Sequence, residues 1–383
     1  MTMKRHRTCA RLLAAIVLGG VSAMSYGATP AQVDAALIKG KEFLYSQQKN
    51  GNWETVAQPD PAETGQSVKN GQFTGRTALA LYALLAAGES PQDPRIAQAI
   101  DFLRKNDTVG TYALSFRIQA FAFLPKTAEN RAFVNKDARK LLDGIQSKGD
   151  ALGMWDYTVA GPKRRPTVYS HSRAQYGVLG LWQAEKMGVE IPGQVWQLFE
   201  REWVDRQNPA GAWSYTKSAQ DATIFTPGMT AVGVATLFIA QDYTRASLGV
   251  DCRGNLPNPA IDKGLKWMRD NFARVAPAEP GPREFIYAAL YAVERIGVSS
   301  GYKFFGDIDW FERGADFLVA KQTKTSGAWG GGASSIVNNS FNNTCFAMLF
   351  LARGRAPVVM NKLDYSSETS KDTPWNQRSR DAA

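Results

Sequence analysis

Cysteine and histidine are scarce: 3 and 2 in 383 residues. One of each, Cys9 and His6, falls in the N-terminal leader, so the remaining chain carries only Cys252, Cys345 and His171. That excludes a disulfide-rich scaffold and leaves little from which to build a metal centre. Cys345 lies inside an apolar helix and reads as a small core residue, so no disulfide is expected. Long hydrophobic runs are missing too. Leu12 to Val21 is too short to span a bilayer, and no transmembrane segment is expected in the mature chain. Dense charge is likewise rare: Lys163-Arg164-Arg165 is the single tight basic run. It reads as a solvated loop rather than a nucleic-acid site.

What is present begins with a leader. Lys4, Arg5 and Arg7 precede the apolar run, and Ser25-Tyr26-Gly27 closes it with a small-residue cleavage pattern. Residues 1–27 therefore read as a signal peptide. No lipobox surrounds Cys9, and the protein is expected in the periplasm or outside the cell. Removing Lys4, Arg5, Arg7 and Arg11 takes the net charge from +10 to +6.

A repeat organises the rest. Gln47 to Trp53 (Q-Q-K-N-G-N-W), Gln207 to Trp213 (Q-N-P-A-G-A-W) and Gln322 to Trp329 (Q-T-K-T-S-G-A-W) share one pattern, and Gln146 to Trp155 is a stretched copy. Each is followed, after a loop, by a small-residue apolar helix beginning near Thr74, Ser170, Thr226 or Ser340. Self-similarity on this scale marks a repeat architecture. The glycine allows a positive-φ turn, the tryptophan covers the joint, and the glutamine satisfies backbone groups orphaned at helix ends.

Amphipathic and all-round apolar segments alternate along the chain. The outer helices are expected at 31–47, 94–105, 131–146, 193–206, 259–272 and 309–321. The inner ones are expected at 74–87, 111–124, 171–186, 228–241, 285–296 and 342–353. Six pairs close an all-α (α/α)6 toroid over residues 28–354, with 355–383 a polar tail or the opening of a truncated further domain. Long Gly/Pro/Ser/Asn-rich loops precede the inner helices. Their N-termini therefore define one functional face, suited to an anionic or oxygen-rich ligand.

The Gln/Gly/Trp repeats resemble those of the squalene-hopene cyclase and protein prenyltransferase superfamily. The resemblance spans nearly the whole mature chain and implies the same toroid. The junction F-L-A-R-G-R-A-P-V-V-M-N-K-L is similar to that of exported bacterial toroid proteins carrying a separate C-terminal domain. The family's chemistries do not carry over. Where cyclases have the D-x-D-D-T acid cluster, this chain reads Ser340-Phe341-Asn342-Asn343-Thr344, and amides cannot protonate an alkene. Asp307-Ile308-Asp309 opens an outer helix and reads as an N-cap. The prenyltransferase zinc site fails because Asp251 and Cys252 are adjacent and no histidine follows His171. The thioester motif fails because Cys345 precedes Phe346-Ala347-Met348.

Glycosidases and polysaccharide lyases also use (α/α)6 barrels, and hydrolysis wants two carboxylates across a cleft. The loop-face acids are Glu54, Asp60, Glu63, Asp156, Asp221 and Glu284. Asp156 and Glu284, with His171 as a proton shuttle, are the catalytic candidates. Arg76, Tyr112, Tyr169, Arg173, Gln175, Asn338, Asn342 and Asn343 are the binding candidates, all at or near inner-helix starts, where Asn339 falls as well. Ser170 or Ser172 is a candidate N-cap. No metal and no cofactor are expected. The leading expectation is a binding module holding a small apolar or glycan ligand, or a protein partner. The alternatives are a carbohydrate-active hydrolase or lyase and a divergent terpene cyclase or isomerase.

Overall fold

A computed structural model describes residues 27–59, 70–159, 169–216, 226–245, 256–277, 285–330 and 339–354. Most of the leader, the 355–383 tail, Lys163 to Arg165, Cys252, Glu284 and Asn338 lie outside them. Among the described residues there are twelve α-helices. The outer ones are α1 (Pro30–Ser46), α3 (Pro94–Lys105), α5 (Ala128–Asp143), α7 (Gly193–Asp205), α9 (Pro259–Asn271) and α11 (Trp310–Lys321). The inner ones are α2 (Gly75–Ala86), α4 (Thr111–Phe121), α6 (His171–Lys186), α8 (Pro227–Thr244), α10 (Ile286–Ser300) and α12 (Ser340–Gly354). One two-residue hairpin, Phe304–Phe305 with Ile308–Asp309, precedes α11. Among the described residues no helix is long and apolar enough to cross a membrane.

Local chemistry sets the outer helices. Thr29 and Gln32 form a capping box on α1, and Asp93 with Pro94 opens α3. Asp309 caps α11 by accepting from the amides of Phe311 and Glu312 at 3.1 and 3.0 Å. Helix α5 starts three residues earlier than its apolar periodicity suggests, because Thr127 accepts from the Asn130 amide and caps it. Each inner helix packs on its inner neighbours, α2 on α4 and onward to α12, which returns to α2. That closes the ring.

The repeat signature is the ring's fastener. The indole N–H groups of Trp53, Trp155, Trp213 and Trp329 donate to carbonyls at the ends of their own outer helices, those of Leu44, Leu141, Trp203 and Leu318, at 2.6–2.9 Å. All four rings are buried. Removing about 200 Å² apiece from water contributes on the order of 4–6 kcal/mol each, as an upper estimate. Their neighbours on the inner helices are small by necessity: a Cβ on Gly177 or Gly233 would meet Trp155 or Trp213 at 2.5 or 2.3 Å. In three of the four repeats a glutamine joins the repeat to the next outer helix. Gln207 Nε2 donates to Ala260 O at 2.8 Å and Gln322 Nε2 to Ala36 O at 2.9 Å, the latter linking the last repeat to the first. In the first repeat Gln48, not Gln47, makes this link, donating to Arg95 O at 2.9 Å.

Candidate functional site

Three backbone bonds align the repeats at the inner-helix N-termini. The amides of Trp53, Trp213 and Trp329 donate to the hydroxyls of Thr77, Thr230 and Thr344 at 3.1, 3.3 and 3.1 Å. Numbered by helix pair, the repeats ending at Trp53, Trp155, Trp213 and Trp329 are the first, third, fourth and sixth, and the corresponding residue in the third is Ala174. One position earlier stand Arg76, Arg173, Met229 and Asn343. The residue after each tryptophan is Glu54, Asp156, Ser214 or Gly330. Arginine and acid thus occur together in the first and third repeats.

In the third repeat they meet. Arg173 Nη1 donates to Asp156 Oδ1 at 2.8 Å, and both side chains are buried. Arg173 Nε donates to Ser170 Oγ at 3.0 Å, and Ser170 also caps α6. The guanidinium lies 4.2 Å from the centre of the Tyr157 ring. Tyr157 and Tyr215 are exposed. Tyr112 packs on Tyr157 and Tyr176, with ring centres 6.3 and 4.8 Å apart, and its hydroxyl lies 3.3 Å from Ser172 Oγ. Burial pushes the Tyr112 phenol up to about 12, so it stays a neutral donor.

In the first repeat they do not meet. Glu54 Oε1 accepts from the Thr77 amide and hydroxyl at 2.8 and 2.7 Å, and burial holds its carboxyl above the usual range. Arg76 instead lies 3.5 Å over the Phe341 ring of α12. Its Nε is buried with no hydrogen-bond partner, and burial lowers its proton affinity. On the same helix start, Asn342 N donates to Asn339 Oδ1 at 2.9 Å, and Asn343 is buried close to Gly330.

Below this rim the lumen is bridged. Tyr291 of α10 donates its hydroxyl to Gln119 Oε1 of α4 at 2.8 Å, and these helices stand opposite each other in the ring. Phe346 packs on Tyr291 and Phe116 with ring centres 5.3 and 6.2 Å apart, and Phe116 packs on Tyr176 at 5.0 Å. The rim sits above an aromatic floor.

The predicted residues divide accordingly. Asp156, Arg173 and Tyr112 form one cluster, with Asn342 and Asn343 on α12 across the ring from α6 and Arg76 on α2 between α12 and α4. Gln175 is buried in α6. Tyr169 and His171 face the outer helix α7: Arg206 lies 5.6 Å from the Tyr169 ring, and the His171 ring packs at 4.8 Å on Trp203. His171 Nδ1 lies 2.6 Å from the Ser214 carbonyl. A carbonyl can only accept, so this nitrogen carries the proton. Burial brings the imidazole down to about 4. Glu284 and Asn338 fall outside the described residues. Tyr157 and Tyr215 were not singled out from the sequence, although a signal existed: repeats three and four read Trp-Asp-Tyr and Trp-Ser-Tyr. Among the described residues no three His, Cys, Asp or Glu side chains are placed to hold a metal.

Solved structures share this architecture. An inactive variant of the α-1,6-mannanase GH76A of a Salegentibacter species, with two consecutive aspartates replaced and α-1,6-mannotetrose bound, superposes with a TM-score of 0.54 at 10% identity. It covers 84% of this chain and 98% of its own. The type II terpene cyclase MstE from Scytonema, without ligand, superposes with a TM-score of 0.51 at 14% identity, covering 84% and 97%. At these identities the likeness is one of fold, and the class is the (α/α)6 toroid. Neither a family model nor a curated protein matches the sequence.

Proposed function

We propose that this toroid is an exported glycan-binding module that takes an oxygen-rich ligand across its rim and does not transform it. The observation that carries the reading is the tyrosine cluster of Tyr112, Tyr157 and Tyr215 around the Arg173–Asp156 pair, set above a bridged lumen. Tyrosine offers a flat apolar face with a polar tip, and a few fixed polar groups beside such faces give orientation. The mannanase, whose structure holds a mannotetrose, is a toroid of the same kind with a glycan bound.

The described residues favour binding over the catalytic alternatives. Alkene protonation has Asn342 and Asn343 where an acid is required, and Tyr291 with Gln119 occupies the axis that a long apolar chain would need. Among the described residues hydrolysis lacks a facing pair of acids, with Asp60, Glu63, Asp221 and Glu284 outside them. No two acidic residues are adjacent anywhere in the sequence, Asp156 is held in an ion pair, and His171 is buried and neutral with its ring against α7.

Native mass spectrometry of the mature protein from its own envelope fraction, with glycan and lipid extraction, tests this. An oligosaccharide that co-purifies intact, and is lost from Tyr157→Ala, is the expected result. Shortened glycan products that vanish in Asp156→Asn would restore the hydrolase. A bound isoprenoid would replace the glycan with an apolar ligand.

A further inference from the structure

The unpaired arginine of the first repeat says what kind of glycan fits. We propose that Arg76 anchors a carboxylate on the ligand, so that the saccharide taken at the rim is an acidic, uronate-containing one. This rests on the glycan reading above.

Three observations converge on the first turn of α2. Among the described residues the Arg76 guanidinium is stacked on Phe341, has no carboxylate within ion-pair distance and feels Glu54 only through its longer-range field, and buries its Nε without an acceptor, whereas almost all buried polar groups are satisfied. The acid that would neutralise it, Glu54, is instead engaged by both donors of Thr77. Thr74, at the N-cap of α2, has φ 73° and ψ −15°, makes no side-chain cap, and is fully buried with its hydroxyl unpartnered. A β-branched residue at positive φ is strained, and such strain gathers at ligand sites. By contrast, Ser170 and Thr226 cap α6 and α8 with their side chains. A carboxylate set against this turn would give the guanidinium a two-pronged acceptor and lie at the positive end of the α2 dipole. The positive net charge of the chain favours the same ligand sign.

The test is calorimetric titration of the mature chain with a panel of tetrasaccharides built on galacturonate, mannuronate or glucuronate, each paired with its carboxyl-reduced form. At least one acidic member should bind, weakening by roughly 10- to 100-fold on carboxyl reduction and by a similar factor in Arg76→Gln. The Arg76→Gln melting temperature should fall by no more than the loss of the stacking on Phe341 explains, because among the described residues Arg76 makes no hydrogen bond to lose. Tyr157→Ala should weaken acidic and reduced forms alike. Equal affinity for the two forms, unchanged in Arg76→Gln, would overturn the carboxylate anchor and leave the glycan reading standing. If no acidic or reduced member binds, both fall.

Discussion

Repeats one and three start from the same parts and end differently. Each places an acid after its tryptophan and an arginine in the first turn of the next inner helix. In repeat three Asp156 and Arg173 close on each other; in repeat one Glu54 binds Thr77 and reaches Arg76 only through its longer-range field. The residue after the arginine decides between them. Thr77 offers Glu54 a hydroxyl and an amide, while Ala174 has no hydroxyl to offer Asp156. One closed pair has become architecture, and one open cation has been left at the rim.

Breaking the closed pair should have the largest effect. Asp156→Ala leaves the Arg173 guanidinium buried without its counter-ion and is expected to cost about 3–5 kcal/mol, read by urea denaturation of the purified protein. A loss under 1 kcal/mol would mean that Arg173 escapes to solvent and that the pair is not structural.

The next effect belongs to the residue before Arg173's helix turn, where repeat three has His171 and repeat one Thr74. His171 is held neutral, with a folded value of about 4 against an ordinary 6.5. Between those values the unfolded chain binds the extra proton. Stability therefore rises with pH through that window and is lost as pH falls from about 6.5 to 4. The full swing is about 3 kcal/mol. In His171→Asn, whose amide can still donate to the Ser214 carbonyl, this part of the pH dependence should vanish; a slope that persists undiminished assigns it to other groups.

A smaller effect should convert one repeat into the other. Thr77→Ala removes the hydroxyl that holds Glu54 and accepts from the Trp53 amide, at a cost of about 1–2 kcal/mol. Freed, Glu54 is expected to close on Arg76 as Asp156 closes on Arg173. Titration with acidic saccharides should then weaken well beyond what the small stability loss explains. Unchanged affinity would show that Thr77 does not control the pair.

The toroid was legible because its determinants are local. Tryptophan, the positive-φ glycine and the following small residue recur in register, and Val33, Ala36, Leu37 and Leu44 already mark the buried stripe of α1. Even the Asp309 cap is visible as an acid just before an apolar-periodic run. The rim was legible only as a set of positions. That Arg76 lacks a partner while Arg173 has one depends on which donor a carboxylate finds across a closed loop, 23 residues away for Glu54 and Thr77 and 17 for Asp156 and Arg173. The Tyr291–Gln119 bridge joins residues 172 apart across the ring, and no periodicity encodes it. His171 looked like a rim residue from its place at a helix start. Its ring turned toward Trp203 because the Ser214 carbonyl offered the acceptor there.

The smallest expected effect on stability is also the sharpest on function. Arg76→Met keeps an unbranched side chain of similar reach over Phe341 while deleting a partly buried charge that has no acceptor. Removing a partly buried charge relieves a desolvation cost that offsets the lost cation–π contact with Phe341, so the variant should stay within about 1 kcal/mol of the parent, seen as little or no change in denaturation midpoint. The same change in the closed repeat, Arg173→Met, strands Asp156 and should destabilise. Residues kept for binding are often kept at the expense of stability, and this paired substitution separates the two uses of one repeat position. If Arg76→Met proves as damaging to folding as Arg173→Met, Arg76 is part of the scaffold and the asymmetry between the repeats is only geometric.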